Sequence, residues 1–156
     1  MEGVGDLCRK HNCLLLLDTV TSLGGVPLYI DEWKVDLAYS CSQKGLSCPP
    51  GLGPFTMGPR AEEKMTSRSG KVPNWYLDVS LLNRYWGSDR VYHHTAPVNM
   101  NFGMREALRL LAEEGLDEAW ARHRRNAERL WSGLERQGLS MPVSYTHLTL
   151  PTTSPV

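Results

Sequence analysis

Apolar and polar residues alternate along the chain in patterns that change with position. Leu14-Leu15-Leu16-Leu17 is an uninterrupted apolar run, which reads as a short strand buried on both faces and stopped by Asp18. The turn-rich Thr21-Ser22-Leu23-Gly24-Gly25 follows. Residues 35–39 read as a second strand, ending in the small polar string Ser40-Cys41-Ser42-Gln43-Lys44-Gly45. Pro49-Pro50-Gly51 breaks the next stretch, and residues 53–57 read as a third strand. Ahead of all three, Val4, Leu7 and Cys8 keep the i, i+3, i+4 spacing that suits the end of an amphipathic helix within residues 1–13.

Helical rhythm dominates the second half. Residues 59–68 are polar and helical, and residues 74–86 predict a short helix with an aromatic face that includes Trp75, Tyr76, Tyr85 and Trp86. After Pro97, the spacing of Met104, Ala107, Leu108 and Leu111 predicts one buried helix face, with Gly115 as its stop. Asp117 is placed to cap a further helix, whose stripe of Trp120, Ala127, Leu130, Trp131 and Leu134 ends at Gly138. That stripe reads as core. Strands come first and then alternate with turns and helices, so the expected class is α/β with a largely parallel sheet.

Composition narrows the function without naming it. The chain has 156 residues, 41% of them hydrophobic, and its 17 Lys plus Arg balance 17 Asp plus Glu. Such a chain is globular rather than disordered, long enough for one domain, and without the basic footprint that nucleic acid or an anionic membrane surface would attract. No apolar run approaches the ~20 residues of a membrane span, and the first residues lack the basic and apolar regions of a secretory signal. Cys8, Cys13, Cys41 and Cys48 do not follow a zinc spacing and read as free thiols in a reducing compartment. Adjacent His93 and His94 point different ways, so no metal site is expected. Residues 142–156 carry no Asp, Glu, Lys or Arg but hold three prolines and four threonines, and are expected to be a non-native or disordered tail.

Two residues stand out chemically. The sequence has five lysines, and Lys44 alone directly follows a strand-like segment and sits among small residues. A lysine so placed is either a solvated loop residue or an amine that reacts with carbonyls. Asp18 is either a turn cap or a ligand-facing carboxylate, because ligands of parallel α/β sheets collect beyond the carboxyl ends of the strands. If both strands lie in one parallel sheet, Asp18 and Lys44 enter one crevice. Pyridoxal 5'-phosphate needs such a pair: the lysine attaches the cofactor through its aldehyde carbon, and the aspartate keeps the pyridine nitrogen protonated.

Four strings in order, Leu14-Leu-Leu-Leu-Asp18-Thr-Val-Thr-Ser-Leu-Gly-Gly25, Tyr39-Ser-Cys-Ser-Gln-Lys44, Pro49-Pro-Gly51 and Tyr92-His-His-Thr95, resemble the serine-pyruvate and alanine-glyoxylate aminotransferases of the class V, fold-type I pyridoxal-phosphate enzymes. The resemblance covers residues 2 to about 141. It implies that Lys44 carries the cofactor and shuttles a proton, that Asp18 partners the pyridine nitrogen, that Val20 packs on one ring face and that Gln43 donates to the phosphate. It further implies that Tyr92 and Thr95 reach the phosphate of the neighbouring subunit in a homodimer, and that the substrates are small amino acids and 2-oxo acids. By the same resemblance, residues 1–97 are part of a large cofactor-binding domain and residues 98–141 are connecting helices toward a small domain. The implied location is peroxisomal or mitochondrial. The family chain is well over twice as long, and the expectation is an internal fragment, inactive alone, of an aminotransferase. Read without the resemblance, Val20 is core, Gln43 a loop amide and residues 92–95 a turn before Pro97. A non-catalytic piece able only to associate with a complete subunit, or another class V enzyme such as a cysteine desulfurase, are the competing readings.

Overall fold

The structure is a computed structural model that describes residues 3–140. The sequence reading of residues 142–156 therefore lies outside the described residues. Eight elements follow one another: α1 (Val4–Lys10), β1 (Leu16–Asp18), β2 (Leu37–Tyr39), β3 (Phe55–Met57), α2 (Pro59–Thr66), α3 (Val79–Trp86), α4 (Val98–Glu114) and α5 (Leu116–Glu135). Contacts divide the chain into two compact units, Met1–Trp120 and Ala121–Val156, the division falling within α5.

The three strands form one sheet in the order β1-β2-β3. β1 and β2 run parallel, Leu16 opposite Leu37, Leu17 opposite Ala38 and Asp18 opposite Tyr39. β3 runs antiparallel to β2, with Leu37 opposite Met57 and Tyr39 opposite Phe55. The class is α/β as expected, but the sheet is mixed rather than largely parallel. A parallel return needs a crossover of a dozen or more residues that carries the chain back to the starting edge. The chain after Tyr39 instead folds back on itself: Ser40 N–H donates to the Pro54 carbonyl at 2.9 Å and Ser42 N–H to that of Leu52 at 3.1 Å.

Side chains alternate across a sheet, so the register sorts the strands into two faces. Leu17, Ala38 and Thr56 share one face, and Ala38 is only 4% exposed. On the other lie Leu16, Leu37 and Met57, then Asp18, Tyr39 and Phe55. That second face is open: Leu16 is 57% and Phe55 47% exposed. Leu14 is also exposed. The leucine run is therefore not buried on both faces, because within the described residues no element covers the face that Leu16 occupies.

The apolar core gathers around β2 and the loop after it. Val35, Ala38, Leu46, Cys48 and Ala61 are buried there, and Ala119 near the start of α5. An ion pair closes this region. Asp36, 3% exposed, accepts from Leu15 N–H at 2.8 Å and from Arg60 at 2.9 and 3.1 Å, so one carboxylate joins the entry of β1, the start of β2 and the first turn of α2. Pro59 opens α2 at a position where a missing N–H is harmless.

Helix ends mostly fall where the sequence places them. Gly115 stops α4, its φ of 84° being one that a side chain resists. α5 begins two residues earlier than expected, at Leu116, so Asp117 lies in its first turn rather than at its cap, still favourably placed against the helix dipole. The expected helix stripes are only half-covered. Leu108 is 48% and Leu130 60% exposed. α4 packs on the loop after β2 at Gly103, where an added methyl group would make ordinary contact with Cys48 Sγ at 3.5 Å and the Pro49 ring at 3.6 Å.

Candidate active site

The site begins with two strand ends. β1 and β2 are adjacent, parallel and in register, so their carboxyl ends leave the sheet on the same side, Asp18 beside Tyr39. Asp18 is held by two donors, Val20 N–H to Oδ1 at 2.8 Å and the Tyr39 hydroxyl to Oδ2 at 2.6 Å. The hydrogen bond to Asp18, with a smaller effect of burial and of the carboxylate's charge, raises the Tyr39 phenol above its ordinary value of 10.0. Tyr39 therefore stays a donor through the neutral range.

The backbone just past both strands is cross-tied. Thr19, 3% exposed, donates its N–H and its hydroxyl to the Tyr39 carbonyl at 2.9 and 2.7 Å, and the buried Ser40 hydroxyl donates to the Thr19 carbonyl at 2.9 Å. Cys41 Sγ lies 3.6 Å from the Val20 carbonyl. Strand pairing thus continues as loop pairing.

Lys44 lies on the turn five positions after Tyr39, and both Gln43 and Lys44 are exposed. Two features fix that turn. Ser42, fully buried, donates its hydroxyl to the Pro49 carbonyl at 2.6 Å, accepts from Leu52 N–H at 3.3 Å, and offers its own carbonyl to Cys48 N–H at 3.0 Å. Gly45 packs directly on the Leu23 carbonyl, where a methyl group would overlap it, and a side chain on Gly24 would meet the Gly45 carbonyl at 3.0 Å. These paired glycines allow the lysine turn to lie against the turn that follows Asp18 and Val20. The structure therefore gathers Asp18, Val20, Gln43 and Lys44 on two contiguous turns at one end of the sheet.

Tyr92 and Thr95 lie elsewhere. Their hydroxyls are 2.9 Å apart, Tyr92 is 71% exposed, and its ring meets Tyr85 edge-on. Among the described residues, no hydrogen bond or ring contact given for them reaches Asp18 or Lys44. Between them, His93 is buried, stacks on Trp75 with ring centroids 4.0 Å apart, and places Nε2 3.0 Å from the Trp75 carbonyl. A carbonyl only accepts, so that nitrogen carries the hydrogen. Nδ1 faces His94 Nδ1 at 2.9 Å, one of the pair donating and the other accepting. The two histidines spend their facing nitrogens on each other, and no cluster of three potential metal ligands occurs among the described residues.

An apolar cavity of about 700 Å³ lies among Leu23, Leu46, Leu52, Trp86, Met104 and Leu108. Asp18, Gln43 and Lys44 do not line it. It is a gap between half-covered apolar faces, and it lacks the charged groups that an anionic cofactor requires. The candidate site is at the strand ends.

The residues there fit pyridoxal phosphate. A carboxylate at the strand end suits a protonated ring nitrogen, an exposed primary amine suits an aldehyde, and an exposed amide suits a phosphate. Sequence reading singled out the carboxylate and the lysine, whose segments the structure brings together. It missed Tyr39, quoted only as the first letter of a string, and it missed Asp36 with Arg60, whose 24-residue separation gives no local signal.

An α/β unit with an aspartate and a lysine on neighbouring turns beyond parallel strand ends is a cofactor-binding domain of the fold-type I pyridoxal-phosphate class. More narrowly, the chain belongs to the class-V aminotransferase family, whose model matches residues 1–147. Pyridoxal phosphate is the cofactor of that family. The crystal structure of an alanine–glyoxylate aminotransferase from Nostoc sp. superposes with a TM-score of 0.90 and 64% identity, over 92% of this chain and 38% of that one. The alanine–glyoxylate aminotransferase of Oryctolagus cuniculus is 44% identical over 159 residues, covering 100% of this chain and 41% of its own length. The ureidoglycine–glyoxylate aminotransferase of Bacillus subtilis has a TM-score of 0.86 and 36% identity, over 89% of this chain and 36% of that one. The chain thus spans about two fifths of the relatives it matches.

Proposed function

We propose that the protein represented by this chain is a pyridoxal-phosphate-dependent aminotransferase that transfers an amino group from alanine or serine to glyoxylate or pyruvate. The observation that carries this reading is the in-register parallel pairing of β1 with β2, which sets Asp18 beside Tyr39 and leaves the Lys44 turn packed on the turn that follows Asp18. Glyoxylate as amino acceptor is supported by its place in the names of both the Nostoc and the Bacillus relatives.

When bound, the cofactor supplies an aldehyde carbon that takes an amine and a ring that accepts electrons. Lys44 would hold it through Nζ, and the same amine would carry the proton to and from the substrate's α-carbon. Asp18 holds the proton on the ring nitrogen by placing a carboxylate oxygen against it. Val20 would pack against the ring, and Gln43 would donate its amide hydrogen to the phosphate. Tyr92 and Thr95, a pair of exposed hydroxyls 2.9 Å apart, serve the phosphate of the neighbouring subunit in a homodimer. Residues 1–97 belong to the large domain and residues 98–141 connect toward a small one, in an enzyme of glyoxylate metabolism in peroxisomes or mitochondria.

An absorbance titration tests the site. Added to the folded chain, pyridoxal phosphate should produce a band near the edge of the visible range that is absent in Lys44→Ala. A band that persists unchanged in the variant removes Lys44 from its role.

A further inference from the structure

Asp18 ends β1 with an exposed side chain, and the terminal torsion of an aspartate is broad and soft. Its backbone does not fix which way the carboxylate plane faces. The Val20 bond is a local turn contact that leaves Oδ2 free to swing about Oδ1. The Tyr39 bond is different in kind. It comes from the neighbouring strand, at the directly paired position, and reaches the other oxygen at 2.6 Å. Two donors on two oxygens, from two strands, define a plane.

Tyr39 itself is anchored. Its carbonyl takes two hydrogen bonds from Thr19, and the next residue, Ser40, is tied to Thr19 through its hydroxyl and to Pro54 through its N–H. Its ring lies on the open face of the sheet and is 39% exposed, so burial does not account for where the hydroxyl points. Sharing that face with Asp18, its hydroxyl meets the carboxylate at the ends of the paired strands.

We propose that Tyr39 is a positioning residue for cofactor binding: its hydroxyl locks the Asp18 carboxylate in the orientation that receives the cofactor's ring nitrogen. The role rests on the aminotransferase reading of the site. A donor on one oxygen orients the carboxylate without taking its negative charge, which is what a protonated ring N–H requires. A carboxylate already oriented loses less rotational freedom when the cofactor binds, and the gain appears as affinity.

The test is a double-mutant cycle of Tyr39→Phe and Asp18→Asn, read by two methods. In the chain without cofactor, ultraviolet difference titration of the six tyrosines should show one phenol ionising above the ordinary tyrosine range, and that late phenol should be lost in Tyr39→Phe and return to ordinary behaviour in Asp18→Asn. With pyridoxal phosphate added, Tyr39→Phe, which keeps the ring and should keep the far-ultraviolet circular dichroism, should weaken binding by about three- to tenfold, as expected for loss of one exposed charge-assisted hydrogen bond. In the Asp18→Asn background the same change should weaken it by less than about twofold. Equal losses in both backgrounds mean that Tyr39 supports structure generally and overturn the proposal. So does a tyrosine titration that Asp18→Asn leaves unchanged. A wild-type chain whose band is unaffected by Lys44→Ala instead overturns the aminotransferase site, whereas a Lys44-dependent band equally strong in Tyr39→Phe overturns only the role of Tyr39.

Discussion

Asp36 and Arg60 show what a single side-chain pair does here. The carboxylate is 3% exposed while the guanidinium side chain is 30% exposed, and the second guanidinium nitrogen also donates to the Cys13 carbonyl at 3.2 Å. Removing Arg60 leaves a buried carboxylate with only the Leu15 N–H. Breaking a fully buried pair costs about 3–5 kcal/mol, and partial exposure of the arginine reduces that, so Arg60→Ala should destabilise by about 2 kcal/mol in a denaturant melt. A loss below about 0.5 kcal/mol would mean that water reaches Asp36 and replaces the arginine. At this scale, legibility depended on whether a residue's chemistry is visible without its neighbours. Lys44 and Asp18 were singled out from the sequence because an amine and a carboxylate near the ends of apolar runs suggest chemistry without reference to a neighbour. Tyr39 and Arg60 were not, since each acquires its role from a partner that only strand register or helix docking supplies.

Among the elements, α3 has the clearest chemical start. Asp78 is its N-cap and accepts from Ser80 N–H at 2.9 Å and from the Ser80 hydroxyl at 2.5 Å. The Ser80 hydroxyl bond, helped by backbone bonds and by nearby His93 against a small cost of burial, lowers this carboxyl below its ordinary 3.8. A carboxyl whose folded value is depressed stabilises the fold above its unfolded value and loses that effect as pH falls through the folded one. The cap should therefore contribute fully at neutral pH and weaken only below about pH 4. Asp78→Asn keeps a capping oxygen without the charge, so the difference in Tm between wild type and variant should shrink as pH is lowered from about 5 toward 2.5. A difference independent of pH would show that charge at the cap is irrelevant. Element identity was largely readable from periodicity and from glycine and proline positions, and all three strands lie within the segments expected or one residue past them. What periodicity does not encode is strand direction. β3 turned antiparallel because residues 40–54 fold back along β2, a fact held in hydrogen bonds such as Ser40 to Pro54.

For the molecule as a whole, the decisive quantity is apolar surface left uncovered. Leu16, Tyr39 and Phe55 open one sheet face, and Trp75, Trp86 and Phe102 are more than half exposed. The length of the chain predicted a self-sufficient core. The described residues bury few large apolar side chains. Chain length counts residues, not the elements that would cover them. A dye such as anilinonaphthalene sulfonate should accordingly bind the chain strongly at neutral pH and lose fluorescence when a complete homologous subunit is added. Weak dye binding together with a sharp, cooperative melt would contradict the exposed faces.

The packing of Gly45 on Leu23 has a thermodynamic side. It brings together two turns from segments that are 20 to 25 residues apart in the chain, and on the proposed assignment one molecule of cofactor then joins them, covalently at Lys44 and by charge at Asp18. Such a ligand is a cross-link as well as a reagent. It binds the folded chain and finds no assembled site in the unfolded one, so the folded population rises with its concentration, by about 2.7 kcal/mol at a hundredfold excess over Kd. Vitamin supply would then set how much of the protein exists, as well as how much of it is active.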